Sequence, residues 1–157
     1  MLGCVPYMHD LGLPHEDSVE FKNAFVDNRV VDDASVEIAL IDLPHISNLT
    51  DFDAFSVEPD VHIRIVRSCK DLHLPDVVIL PGTKNTRSDM EYLRASGVAE
   101  QIKRLAHDGT TEIIGICGGF QMLGSIIRDP YRIESDREEI PGLNLLDEMM
   151  SSFHINR

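Results

Sequence analysis

The sequence predicts an α/β domain built on a mainly parallel sheet with flanking helices. Three observations carry this. Short apolar runs of four to six residues recur along the chain, amphipathic helical patterns separate the last of them, and the last two runs stop hard at Pro81-Gly82 and Cys117-Gly118-Gly119. A chain of 157 residues has room for one such core.

The elements follow in order from Val36. Val36 to Ile41 is apolar, partly β-branched and ends before Pro44, as suits a buried strand. Val61 to Val66 alternates Val61, Ile63 and Ile65 with His62 and Arg64, the pattern of a half-exposed strand near an edge. Val77 to Leu80 is a third strand, stopped by Pro81-Gly82, and Ile113 to Ile116 a fourth, stopped by Cys117-Gly118-Gly119. Between these two, Thr86 is placed to cap a helix carrying Met90 and Leu93 and ending at Gly97. Val98, Ile102 and Leu105 then repeat at helical spacing, with His107 in the last turn and Gly109 just past it. A further helix is expected from Gly119 to Ile127, with Leu123, Ile126 and Ile127 facing inward. Beyond Arg128 the pattern turns polar and irregular. Asp136 to Glu139 reads as a surface turn and Met149-Met150 as a broken strand or frayed end. Residues 1–35 are acidic and broken by Pro6, Gly12 and Pro14, so they read as a linker, although Leu2 to Val5 resembles the end of a buried strand.

Composition excludes several functions. Asp and Glu number 27 against 14 Lys and Arg, a formal charge of −13. A nucleic-acid binder needs the opposite surplus to displace phosphate counterions. No apolar run approaches the roughly 20 residues of a membrane helix, and Met1 to Asp10 lacks the basic and apolar regions of a signal peptide. Cys4, Cys69 and Cys117 show neither metal-ligand spacing nor a disulfide framework, which points to a reducing cytoplasm and no metal site.

Ligands bind parallel sheets beyond the carboxyl ends of the strands. Three segments emerge there: His45 to Asp53, Pro81 to Thr86 and Cys117 to Gln121. In Gly115-Ile116-Cys117-Gly118-Gly119-Phe120-Gln121 a thiol sits between a strand and a helix with small residues around it, the logic of a nucleophile elbow. The turn lifts the sulfur out of the sheet to a helix amino terminus, whose N–H groups favour the thiolate, the reactive form. The Gly118 N–H is then placed to stabilise an oxyanion on an attacked carbonyl. A second donor is expected from Gly82 or Thr83, where glycine lets the backbone approach closely. Gln121, one helical turn after Cys117, offers an amide to a polar amide-bearing substrate.

The motif around Cys117 resembles the nucleophile motif of the class I (triad) glutamine amidotransferases. Ile79 to Thr86 (ILPGTKNT) and Leu43 to Asp53 (LPHISNLTDFD) resemble its cobyric acid synthase branch, the second stretch more specifically. Val5-Pro6-Tyr7 with Glu16-Asp17-Ser18 is similar to the join between that branch's ATP-dependent domain and its amidotransferase domain. The resemblance runs up to Leu146. It implies a flavodoxin-like fold, Cys117 as the nucleophile attacking the glutamine side-chain amide, oxyanion N–H groups from Gly82 and Gly118, and Gln121 as a glutamine-holding residue. It implies that ammonia passes to a synthetase domain of the same parent chain, where ATP and Mg2+ activate carboxylates of adenosylcobyrinic acid a,c-diamide. No Gly-x-x-x-x-Gly-Lys-Ser/Thr loop occurs here, so no cofactor is expected on residues 36–157 themselves.

The branch's histidine lies well downstream of its elbow, so 36–157 reads as an amidotransferase domain truncated at its carboxyl end and the chain alone as inactive. His154 has no motif context; His45 lies on the active edge but reads as a surface-loop histidine; His9, His15, His62, His73 and His107 read as solvent-facing or helix-terminal. Asp51 and Asp53 read as an Asx-type cap before a metal pair, Lys84 and Arg87 as solvated cations, and Cys4 and Cys69 as passive. Two rivals remain at this level: a cysteine hydrolase of the intracellular peptidase or deglycase type, and a non-catalytic scaffold domain.

Overall fold

The computed structural model describes residues 35–56, 58–130, 138–147 and 149–151. The expected linker 1–35, with its strand-like Leu2 to Val5 and Cys4, lies outside them except for Ser35, as do His9, His15 and His154.

The first sheet is the predicted one. Strands β1 (Val36–Ile41), β2 (Val61–Val66), β3 (Val77–Leu80) and β4 (Glu112–Gly115) run parallel in the order β2-β1-β3-β4. Ile38 pairs with Ile63 on one side and Val77 on the other, so β1 is central, and its last four residues are all buried. β2 lies at the edge, and its alternation reflects that position. Arg64, on its more open side, anchors to Glu37 Oε1 at 2.6 Å and to the carbonyl of Leu72 at 2.8 Å. Around this sheet two elements went unread in the sequence: a 3-10 segment over Leu49–Ser56 and the single turn α1 (Cys69–Leu72). Both are too short for a 3.6-residue period to show.

Two helices cross between β3 and β4. In α2 (Thr86–Ala95), Met90 and Leu93 are buried; in α3 (Val98–Asp108), Val98, Ala99, Ile102 and Leu105 are. Each fully buried Leu or Ile contributes about 1.5–3 kcal/mol. Gly109 ends α3 in the left-handed region at φ 69°, its N–H donating to Leu105. The cap of α2 is Asn85, not Thr86. Asn85 is non-helical, and its Oδ1 accepts from the Ser88 N–H at 2.9 Å, which leaves Thr86 as the first helical residue. Asn85→Ala is expected to cost about 1 kcal/mol in denaturant unfolding, and Thr86→Ala less than that through capping.

The largest correction concerns the helix expected from Gly119 to Ile127. Helix α4 spans only Gly118–Leu123. Its terminal carbonyls are taken by a later segment: Leu143 N–H donates to Met122 O at 2.7 Å, and Leu145 and Leu146 donate to Leu123 O at 2.9 and 3.0 Å. Ile126 and Ile127 then form β5 (Ile126–Arg128), antiparallel to β6 (Glu139–Pro141) and parallel to β7 (Met149–Ser151). The tail read as irregular thus contributes a second, three-stranded sheet. Ile127 and Leu123 are buried as expected, one from a strand and one from a helix. Of the expected acidic turn, Glu139 is in β6 and accepts from Arg128 Nε at 2.6 Å; Asp136 lies outside the described residues. Arg94, at the end of α2, ties that helix to the end of β6 by donating to the carbonyls of Pro141 and Gly142 at 2.8 and 3.1 Å.

Candidate functional site

The three segments expected at the carboxyl edge of the first sheet meet there. The segment after β1 pairs with the turn after β3 through an antiparallel bridge between Ile46 and Thr83. Ser47 N–H donates to Gly82 O and Lys84 N–H to His45 O, both at 2.9 Å. This bridge uses the Gly82 carbonyl and the Lys84 amide, not the amides of Gly82 and Thr83.

Cys117 follows β4 after one residue, Ile116. Its backbone has φ 50° and ψ −112°, a conformation that L side chains rarely adopt. Its side chain is exposed. On one flank Ile116 N–H donates to Leu80 O at 2.9 Å, continuing the sheet; on the other, Gln121 N–H donates to Cys117 O at 3.1 Å, starting α4. The chain reverses from strand to helix at this one residue.

The small residues around Cys117 are there for space. A Cβ on Gly119 would lie 2.1 Å from Leu80 O, and one on Gly115 2.6 Å from Phe120 Cα. Both neighbours are backbone and cannot rotate away. A Cβ on Gly118 would lie 2.5 Å from Thr83 Cγ2, so the residue after the thiol is pressed against the turn after β3. A Cβ on Gly82 would lie 3.0 Å from Ser47 Oγ and 3.9 Å from Cys117 Cβ. Cys117, Gly118, Gly82, Thr83 and Ser47 therefore form one contiguous surface.

Gln121 is half-buried on α4, and its Oε1 accepts from Thr86 Oγ1 at 3.3 Å. Thr86, expected as a cap, instead orients Gln121.

The remaining candidates separate. His45 has no hydrogen bond to Cys117 among the described residues; its Nδ1 lies 2.7 Å from Asp89 Oδ1, and its side chain is 45% exposed. His45 is thus a surface-loop histidine as expected, with its ring in addition anchored to a buried carboxyl group. The reading of Arg87 is corrected. It is buried on α2, not solvated, whereas Lys84 is exposed. His73 and His107 are exposed and His62 half-buried. Asp51 and Asp53 fall inside the 3-10 segment and not at its cap, and burial pushes the Asp53 carboxyl up from its ordinary value. No group of three or more His, Cys, Asp or Glu side chains that could hold a metal occurs among the described residues. No described helix is long and apolar enough to cross a membrane. Cys69 is half-buried and packs against the core.

Residues 37–153 match the model of the CobB/CobQ-like glutamine amidotransferase domain. The chain belongs to this family. It is 51% identical over 146 residues to the adenosylcobalamin biosynthesis bifunctional protein CobDQ of Leptospira interrogans, covering 93% of this chain and 17% of that protein. It is 53% identical to the cobyric acid synthase of Moorella thermoacetica and 48% to that of a Geobacillus species, with 93% of this chain covered in both and 28% and 29% of those proteins. The chain thus spans less than a third of the length of these relatives.

Within this amidotransferase domain, sequence reasoning missed Asp89, Thr86 in its orienting role, and Ser47. Asp89 is fully buried, accepts from Thr83 Oγ1 at 2.5 Å and from His45 N–H at 3.2 Å, and pairs with the His45 ring. Its only signal in the sequence was an acidic residue in the first turn of a helix, which ordinarily reads as a solvated partner of the macrodipole.

Proposed function

We propose that this domain hydrolyses glutamine through Cys117 and supplies ammonia to an amide-forming partner, as part of a cobyric acid synthase. The observation that carries the reading is the exposed Cys117 in a left-handed backbone conformation, packed against the turn that holds Gly82.

In this reading the Cys117 sulfur attacks the γ-carbonyl carbon of glutamine. A C–S bond forms, and the carbonyl oxygen gains the charge that the Gly82 and Gly118 amides stabilise. Collapse breaks the C–N bond and releases ammonia, leaving a γ-glutamyl thioester. Water then cleaves the thioester, so glutamine plus water gives glutamate plus ammonia. Gln121, with its Oε1 held by Thr86, turns the donors of its Nε2 toward the bound glutamine.

The thiol needs a base, and departing ammonia an acid. Neither is assigned among the described residues, and we infer that the 157-residue chain alone releases ammonia slowly or not at all. The partner in this reading is a synthetase domain of the same parent chain, which uses ATP and Mg2+ to amidate adenosylcobyrinic acid a,c-diamide. Residues 1–35 are the proposed linker to it and 36–157 the amidotransferase domain; the family match, which begins at residue 37, supports that boundary. The reading places the protein in the cytoplasm.

The test is covalent labelling with a glutamine-mimicking diazo ketone. Modification is expected at Cys117 alone, slowed by glutamine and absent in Cys117→Ala. Labelling that glutamine does not slow favours a cysteine hydrolase of another specificity. No labelling of a folded chain even at alkaline pH, where a thiol ionises without the help of a base, favours the scaffold role.

A further inference from the structure

Four polar contacts tie the start of α2, the turn after β3 and the segment after β1 together, and three of them belong to one side chain. Asp89, on α2, has no exposed surface. Its Oδ2 accepts from Thr83 Oγ1 at 2.5 Å and from the His45 N–H at 3.2 Å, and its Oδ1 lies 2.7 Å from His45 Nδ1. The fourth contact is the Asn85 N–H donating to Thr83 Oγ1 at 3.0 Å. A carboxylate buried in this way costs several kcal/mol unless its oxygens are well bonded. A hydrocarbon side chain on α2 would avoid that cost, yet here a carboxyl group is present and bonded to partners from two separate segments.

We propose that Asp89 is the positioning residue of the site, fixing Thr83 and the His45 segment so that the Gly82–Thr83 amides face Cys117. The geometry transmits directly. Thr83 Cγ2 is pressed against Gly118, and the Ser47 amide holds the Gly82 carbonyl. Any shift of Thr83 moves both oxyanion amides relative to the sulfur. His45 covers the carboxylate from the solvent side, with its ring bonded inward and its side chain 45% exposed. Asp89 touches neither the thiol nor, in this reading, the substrate. It acts through Thr83.

The inference rests on Cys117 as the nucleophile, and its test separates the two. The 157-residue chain is compared with Asp89→Asn and His45→Ala. For Asp89→Asn the maximal rate of diazo-ketone labelling is expected to fall about tenfold to a hundredfold, the reagent concentration for half-maximal rate changing less than about threefold, because misplaced donors weaken the transition state more than binding. Diazo-ketone labelling forms a C–S bond and expels N2 while the reagent's carbonyl sits against the backbone donors; iodoacetamide alkylates the same thiol without needing that seating. Its rate and pH profile are expected to stay within about twofold. His45→Ala removes the ring contact but leaves the carboxylate, so a smaller slowing of the same kind is expected, and it serves if Asp89→Asn does not fold. An unchanged maximal labelling rate in a folded variant overturns the proposal. So does a shifted pH profile with iodoacetamide, which assigns the pair to the thiol proton instead. If the unmodified chain is not labelled at all, even at alkaline pH, the nucleophile reading fails, and amide hydrogen exchange decides the rest. Asp89→Asn is then expected to accelerate exchange about tenfold or more at residues 45–47 and 82–84 while β1 and β3 stay protected, and equal exchange overturns it.

Discussion

Cys117→Gly is expected to raise the stability of this domain by about 1 kcal/mol while ending all labelling by the diazo ketone. The backbone at Cys117 lies at φ 50°, ψ −112°, where a Cβ costs on the order of 1–3 kcal/mol. Glycine adopts that conformation freely, and its greater freedom in the unfolded chain returns about 0.5–1 kcal/mol of the gain. The thiol is exposed, so little burial is lost with it. Cys117→Ala isolates the backbone term. It removes the same chemistry but keeps the Cβ, and is expected to stay within about 0.5 kcal/mol of the parent. Glycine being more stable than alanine reverses their usual order at structured positions, and denaturant unfolding of the pair measures the difference. Equal stability of the two, or alanine the more stable, shows that no strain is held at the elbow. A residue kept at a conformational cost, with its functional group facing solvent, is the pattern of strain maintained for chemistry.

The first sheet and its carboxyl edge were legible in the sequence because the signals there are local. Val36–Ile41 and Val77–Leu80 are continuous apolar runs with hard stops, and periodicity alone places Val98, Ile102 and Leu105 on one face of a helix. The elbow was legible because a tight strand-to-helix reversal demands small neighbours, and Gly115, Gly118 and Gly119 stand where the clashes would be. The second sheet was not. Ile126 and Ile127 continue the spacing of α4, and only Gly124 and the bonds from Leu143, Leu145 and Leu146 end that helix. Those bonds join residues about twenty positions apart, which no window of helical length contains. Asp89 was hidden for the same reason. Its partner His45 lies 44 residues away, and in sequence a buried anchor and a solvated acid in the first turn of a helix look alike. Arg87 was misread as solvated on the same grounds, since exposure belongs to the packing and not to the residue type.

The second large effect is expected at Gly119. By helix propensity alone, Gly119→Ala stabilises α4 by up to about 1 kcal/mol. The packing opposes it more strongly. The added Cβ falls 2.1 Å from Leu80 O, 2.6 Å from Leu80 C and 2.6 Å from Pro81 O. None of these is the end of a flexible side chain, so either α4 lifts off β3 or the turn after β3 moves. Overpacking of this kind costs about 1–3 kcal/mol and at times more, and a clash with backbone belongs at the upper end, so a net loss of about 2 kcal/mol is expected. The functional loss is larger in proportion. Leu80 leads into Gly82, and Gly119 is two residues past Cys117, so a shift at this contact separates the sulfur from the oxyanion turn. Misplacement by about 1 Å costs on the order of a hundredfold, which is the expected fall in the labelling rate. Gly109→Ala is the control, because a Cβ there meets nothing within 4 Å and φ is +69°. It is expected to cost about 1 kcal/mol through backbone conformation and to leave labelling of Cys117 unchanged. The two glycines are thus needed for different reasons, one for room and one for its backbone angle. A Gly119→Ala variant that melts higher than its parent and labels at the parent's rate contradicts the docking of α4 on β3, and with it the geometry on which the elbow depends.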